Sequence, residues 1–365
     1  MFISAINRIN SNDRISNLKF QRNSYKPTSN QPNKVLNENN IPFKSKGNAF
    51  AFIPSSNYSI SNFERSLAEK LGAKVSASNV SQFANTELYV CLPENIKKLA
   101  GNVAIIAQTI GKTVNDSIME LLFKVDAAHR AGVDNVLAVF PYMPYSRGER
   151  RVKEGESVPF KVINDMLQAV GVKGCIVGDI HSESALANAN SGLVLYNVPS
   201  YDAMYEYFSH KGLKSDTTVI VSPDLGGVKR ANNVANRFGC NTAAMHKIRP
   251  EHNKSVIKQL FGDVENKDVV IIDDMIDTAG TITNAAKMVK DQGAEKVYLA
   301  AGHGLFNGNA IENLNSALVD GVVVTNTMNI KPEIKEAINN FDQIDVAGYF
   351  AQKILQLLNM KKTTI

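Results

Sequence analysis

Val269-Val270-Ile271-Ile272-Asp273-Asp274-Met275-Ile276-Asp277-Thr278-Ala279-Gly280-Thr281 is the stretch on which the fold turns. Four consecutive β-branched apolar residues read as a strand buried on both faces, the pattern of a parallel sheet. A helix follows over 281–292. The acidic pair and the small residues after it therefore sit at the carboxyl end of a parallel strand, where open α/β sheets bind ligands. Small residues at 278–281 let consecutive backbone N–H groups converge, and Thr278 and Thr281 add hydroxyls; with the helix dipole they form an anion nest that suits a phosphate. Asp273 and Asp274 are acceptors at its entrance, suited to sugar hydroxyls or to a magnesium ion and its waters. The plainer alternative, in which Asp277 and Thr281 only cap the helix, leaves the acidic pair without a role.

Outward from this loop, apolar runs alternate with amphipathic stretches. Strands are expected at 49–53, 103–107, 136–140, 174–178, 219–221, 269–272 and 297–301, and helices between most of them, as at 117–131. Such alternation means an α/β fold whose parallel sheets are covered on both faces. Ser61-Asn62-Phe63-Glu64 fits a capping box, and Gly72 stops the helix it starts. Gly111-Lys112-Thr113-Val114-Asn115-Asp116 precedes a further helix, with Asn115 or Asp116 expected as its cap. Val346, Tyr349, Phe350, Ile354, Leu357 and Leu358 recur at helical spacing, as in a packing helix.

A weak internal repeat divides the chain. Ala104-Ile105-Ile106, Gly132 and Val136-Leu137-Ala138-Val139 are echoed by Val270-Ile271-Ile272, Gly293 and Val297-Tyr298-Leu299-Ala300. The expected organisation is a leader at 1–48, one α/β unit at 49–197, a second at 198–345 and a C-terminal helix at 346–365. Only the second copy has an acidic pair after its strand, so one half keeps a ligand site that the other lost or changed.

Charge follows the same division. Of the overall +5, the first 48 residues carry a net +6 and the remainder −1. A near-neutral body argues against a nucleic-acid partner. No run of about 18 apolar residues suggests a membrane span. The three cysteines, Cys91, Cys175 and Cys240, are far apart and form no Cys-x-x-Cys pair, so they read as reduced and structural in a reducing compartment. The leader holds eleven Asn and six Ser with little apolar periodicity and should be disordered. A flexible tail on a cytoplasmic protein is the favoured reading, with an organelle transit peptide as the alternative.

The loop from Asp273 to Thr281 resembles the phosphoribosyl-diphosphate-binding loop of type I phosphoribosyltransferases. Val114-Asn115-Asp116-Ser117-Ile118-Met119-Glu120-Leu121-Leu122, Tyr145-Ser146-Arg147-Gly148-Glu149-Arg150-Arg151, Gly178-Asp179-Ile180-His181, Val221-Ser222-Pro223-Asp224-Leu225-Gly226-Gly227 and Lys247-Ile248-Arg249-Pro250 follow the order seen in ribose-phosphate pyrophosphokinases. The resemblance covers about 50–355 and implies two tandem type I phosphoribosyltransferase-like domains that oligomerise. It also implies transfer of the diphosphoryl group of ATP to the anomeric hydroxyl of ribose 5-phosphate, with magnesium as the required ion. Under it, Asp277, Thr278, Ala279, Gly280 and Thr281 hold the 5-phosphate, and Asp273 and Asp274 lie near the ribose hydroxyls. His181 and Asp224 match the magnesium positions, and Arg147 and Arg150 match arginines that contact ATP. Lys247 and Arg249 fall on a mobile loop that closes over the phosphates.

The chain also departs from the family. Phe83-Ala84-Asn85-Thr86-Glu87 stands where the family has Phe-x-Asp-Gly-Glu, whose residues reach the adenine site of a neighbouring subunit; Asn85 keeps an acceptor but not the charge. Gly148, Glu149 and Ile248 replace a glutamine, an aspartate and an arginine, and the run after His181 does not follow the family. Since these changes gather on the ATP side, a second expectation is a synthetase-associated regulatory paralogue with weak or no catalysis. Retention of His181, Asp224, Lys247, Arg249 and the whole loop favours the enzyme.

Overall fold

A computed structural model of the chain describes residues 50–358, apart from 56–59, 102, 112, 188–191 and 252–253 and the side chains of 247–258. The expectations for the leader at 1–48 lie outside the described residues. The described residues fall within one compact unit, Ile41–Ile365.

Two sheets are built from the two halves of the sequence. In the first, Ala51–Ile53, Val103–Ala107, Asn135–Phe140, Val172–Gly178 and Val194–Val198 lie side by side in chain order, all parallel. Because side chains alternate along a strand, Ala104 and Ile106 meet Leu121, Val125 and Phe160 on one face. Val103, Ile105 and Ala107 meet Phe63, Leu67 and Phe350 on the other. Helices Val114–Arg130 and Pro159–Ala169 cover the first face; Asn62–Leu71 and Ala347–Leu357 cover the second. The C-terminal stretch is thus a packing helix. It crosses back to the first sheet, where Phe350 meets Phe63 edge-on with centroids 4.9 Å apart.

The second sheet runs Lys254–Phe261, Asn241–Glu251, Thr218–Ser222, Asp268–Ile276, Lys296–Gly304, Gly321–Thr325 and Phe341–Ile344. Its core is again two-sided: Val269 and Ile271 pack towards Ile282, Ala285 and Val289, and Val270 and Ile272 towards Phe208, Ala231 and Val234. The order reverses between Thr218–Ser222 and Asp268–Ile276, since the chain runs outward from the first of these in both directions. Such a switch point opens a crevice beyond the carboxyl ends of its two strands.

The expected strands and helices are present, with three corrections. First, the sheets are not purely parallel: Asn241–Glu251 and Lys254–Phe261 pair antiparallel, and Asn79–Gln82 pairs antiparallel with Leu88–Cys91 as a separate two-stranded ribbon. Leu88–Cys91 is itself an apolar run, but its partner Asn79–Gln82 and strand Lys254–Phe261 are interrupted by polar residues, so no paired hairpin pattern stands out in the sequence. Second, the cap of helix Val114–Arg130 is Thr113, whose hydroxyl accepts from the Asp116 amide at 3.1 Å; Asn115 is already helical and accepts from the Tyr145 hydroxyl instead. Third, the strand at 268 continues through the acidic pair to Ile276, because Asp273 and Met275 still pair in register with Ala301 and His303. The Ser61 capping box is formed as expected, with Gly72 closing its helix at φ 59°.

Candidate active site

The carboxyl ends of both sheets meet in a cleft of about 480 Å³. Strand Val172–Gly178 delivers Asp179, His181 and Ser184 to it; Thr218–Ser222 delivers Asp224; Asp268–Ile276 contributes Asp273 and Asp274. Arg150 and Glu149 enter from the loop after Asn135–Phe140. Residues from distant motifs thus share one wall, and Arg150, His181, Asp224, Asp273 and Asp274 are brought together.

His181 is one of the links between the halves. Its Nδ1 lies 2.7 Å from Asp274 Oδ2. That hydrogen bond, acting against burial, raises the imidazole pKa above its ordinary value. Burial alone would raise the Asp274 carboxyl, but the His181 hydrogen bond and the Arg230 guanidinium outweigh it and hold Asp274 ionised well below the usual range. Asp273 moves the other way, pushed up by burial and by the charge of Asp274. An ionised Asp274 accepts the proton on Nδ1, which leaves Nε2 as the nitrogen free to act as a ligand when the ring is neutral. Asp224 is held by its own turn, its Oδ1 accepting from the Gly227 amide at 3.0 Å.

The loop after the acidic pair has the form of a nest. Ala279 is the cap residue of helix Gly280–Asp291, with φ 64° and no side-chain cap bond. Asp277 does not cap this helix: Arg147 Nη1 reaches its Oδ2 at 2.8 Å and Asn307 Nδ2 its Oδ1 at 2.8 Å. Those two hydrogen bonds overcome the effect of burial and lower the Asp277 pKa. Asn313 donates to the Thr278 carbonyl at 2.8 Å, which fixes the loop from outside. A Cβ at Gly280 would meet nothing within 4 Å, so space lies open over the helix N-terminus.

Other expected site residues lie elsewhere. Arg147 is at Asp277 and is not part of the cleft wall. Phe83, Asn85 and Glu87 occupy the turn of the Asn79–Gln82 and Leu88–Cys91 hairpin, away from the cleft lining, and Phe83 is 58% exposed. Asn85 there accepts from the Glu87 amide at 3.2 Å. Lys247 and Arg249 are in strand Asn241–Glu251, where a closing loop was expected; their side chains lie outside the described residues. Two cleft residues that the sequence does not single out are Asp179 and Arg230. Asp179 takes φ 33°, and its carboxylate accepts from the Ser200 amide at 3.1 Å and packs into the notch left by Gly302. Arg230 had one available signal, a cation in the first turn of a helix, where an acid is the favoured charge.

The donor set decides what the cleft can accept. Six carboxylates and three cations line it, a wall that repels a polyphosphate arriving without a counter-ion. Among the described residues no cluster of three or more His, Cys, Asp or Glu could hold a metal by itself. The ring nitrogen of His181 and the carboxylate of Asp224 on this wall fit a hard cation that takes one or two protein ligands and fills its shell with water and phosphate oxygens. No helix among the described residues is long and apolar enough to cross a membrane. The three cysteines are free.

Comparison with known proteins agrees with this geometry. Residues 55–171 match the model of the N-terminal domain of ribose phosphate pyrophosphokinase, and 250–363 that of the phosphoribosyl synthetase-associated domain. The ribose-phosphate pyrophosphokinase of Fusobacterium nucleatum is 35% identical over 301 residues, 82% of this chain and 93% of that protein. Ribose-phosphate pyrophosphokinase 1, chloroplastic, of Oryza sativa is 35% identical over 74% of this chain and 68% of its own length. In fold, the phosphoribosylpyrophosphate synthetase of Mycobacterium smegmatis superposes with a TM-score of 0.74 at 24% identity, over 85% of this chain and 99% of that one. With both sheets, the loop from Asp273 to Thr281 and these relatives in agreement, the chain belongs to the ribose-phosphate pyrophosphokinases, transferases that form phosphoribosyl diphosphate for nucleotide synthesis.

Proposed function

We propose that the cleft is where ATP and ribose 5-phosphate meet, and that its residues divide between them. The observation that supports this division most is the convergence of His181 and Asp224 with Asp273 and Asp274 on one wall, next to the open N-terminus of helix Gly280–Asp291. The nest of Asp277, Thr278, Ala279, Gly280 and Thr281 takes the 5-phosphate, and Asp273 and Asp274 accept from the ribose hydroxyls. The anomeric oxygen then attacks the β-phosphorus of ATP; the bond from that phosphorus to the oxygen bridging the α-phosphate breaks, and AMP leaves. Positioning and charge stabilisation carry such a transfer, so no strong base is required.

His181 through Nε2 and Asp224 through its carboxylate would hold magnesium, which when bound supplies charge neutralisation on the ATP phosphates. Arg150 in the cleft, and Arg147 after release from Asp277, contact the nucleotide. Lys247 and Arg249 supply donors to the transferring group. Phe83, Asn85 and Glu87 do not line the cleft of their own chain, so an adenine contact by them serves a second copy, in a homo-oligomer. The cytoplasm is the site of action in this reading; a transit role for residues 1–48 is the alternative, in keeping with the chloroplastic relative.

Asp224→Asn tests the division. It should raise the magnesium concentration for half-maximal activity by at least about tenfold, the scale on which altered metal shells act, while the KM for ribose 5-phosphate changes little. A shifted sugar KM with an unchanged magnesium requirement would reverse the assignment.

A further inference from the structure

We infer that Arg230 is a positioning residue for the reaction: it holds Asp273 and Asp274 in a common orientation and ties them to the strand end that carries His181. The inference rests on the reading of the acidic pair as acceptors of the ribose hydroxyls. Arg230 Nη1 lies 3.8 Å from Asp273 Oδ1 and 3.8 Å from Asp274 Oδ1. Its Nη2 donates to the carbonyl of Ile180, the residue before His181, at 3.4 Å. One planar group therefore touches both sides of the cleft, which a guanidinium can do and a single ammonium cannot.

Helix stability does not explain this residue. Arg230 is in the first turn of helix Val228–Phe238, where the helix field opposes a cation and no acid is present to offset it. Its side chain is only 12% exposed, and its Nε is buried without a hydrogen-bond partner among the described residues. A buried donor without an acceptor is a cost that a purely structural ion pair is arranged to avoid. Here the guanidinium is set by the carboxylates it serves. Two adjacent carboxylates repel each other, and a cation at the same distance from one oxygen of each keeps both beside a shared ligand. Asp274 is then fixed at both ends, by Arg230 through Oδ1 and by His181 through Oδ2.

The experiment is calorimetric titration of ribose 5-phosphate into full-length protein saturated with magnesium and a non-reacting ATP analogue. Arg230→Met should weaken sugar binding by about tenfold or more, as expected when buried carboxylates lose their cation. Arg230→Lys should recover part of that loss, and affinity for the ATP analogue should change much less in both. If Arg230→Met does not fold, Arg230→Gln, which keeps a donor towards the Ile180 carbonyl, takes its place with the same expectation. Lower thermal stability with unchanged sugar affinity would overturn the inference, leaving Arg230 a structural residue. Asp274→Asn is the control for the underlying reading: if it leaves sugar affinity unchanged, the assignment of the acidic pair fails. If Asp274→Asn weakens binding and the Arg230 variants do not, only the role of Arg230 fails.

Discussion

Lys124→Met should lower the free energy of unfolding by about 3–5 kcal/mol, the usual cost of breaking a buried ion pair from one side. Lys124 is fully buried on the inner face of helix Val114–Arg130. Its ammonium donates to the Pro54 carbonyl at 2.7 Å and to the Glu120 carboxylate one turn earlier. Glu64 lies close enough for its charge to act on Lys124. It too is fully buried, and it accepts from the Ser55 amide and hydroxyl at 2.8 Å and from the Ser61 amide at 3.0 Å. Burial lowers the Lys124 pKa, and the two carboxylates pull it back up, so the ammonium is what offsets two acids out of water. Methionine matches the length of lysine but leaves Glu120 facing a carbonyl without a cation. Removing Glu120 as well, as Lys124→Met with Glu120→Leu, should recover part of the loss, because that acid no longer carries a desolvation cost while Glu64 stays buried without the ammonium. Denaturant unfolding of the parent and the two variants measures this. Equal stability of the single variant and the parent would show that the cluster is solvated and not a buried ionic joint.

Lys247→Ala should lower kcat by about 10²–10³-fold, or about 2.7–4 kcal/mol of transition-state stabilisation, as loss of one preorganised donor does. The expectation rests on its match to the family lysine in Lys247-Ile248-Arg249-Pro250. Ile248 has replaced an arginine there, so fewer cations share the charge that develops on the transferring group. A donor needed only as that charge develops lowers kcat without a comparable change in substrate affinity. Single-turnover kinetics at saturating substrates separate this from slow product release, and an unchanged rate would remove Lys247 from the mechanism.

What could be read from the sequence followed from how local its causes were. Val269 to Ile272 are apolar and β-branched whatever surrounds them, so the strand and the turn into a helix at its end were legible, as was the Ser61 capping box. The ribbon at Asn79–Gln82 was not, because four residues that face mostly water carry no apolar run. The i,i+4 spacing of Glu120 and Lys124 is the same for an exposed pair as for a buried one. Only the packing of the helix against Pro54 turns them inward. Arg147 illustrates the same limit for the site. Its motif pointed to a nucleotide, but the fold sets it on Asp277 in the other half, a partner 130 residues away that no local pattern announces. Arg230 was hidden for a like reason, since its carboxylates come from a strand some forty residues later.

The most direct test of the whole account is AMP release from ATP by the purified protein with ribose 5-phosphate and magnesium, measured with and without added inorganic phosphate. AMP and phosphoribosyl diphosphate should form in equal amounts, dependent on both the sugar phosphate and the metal. No AMP above background under either condition would contradict it and make the chain a regulatory partner of another synthetase.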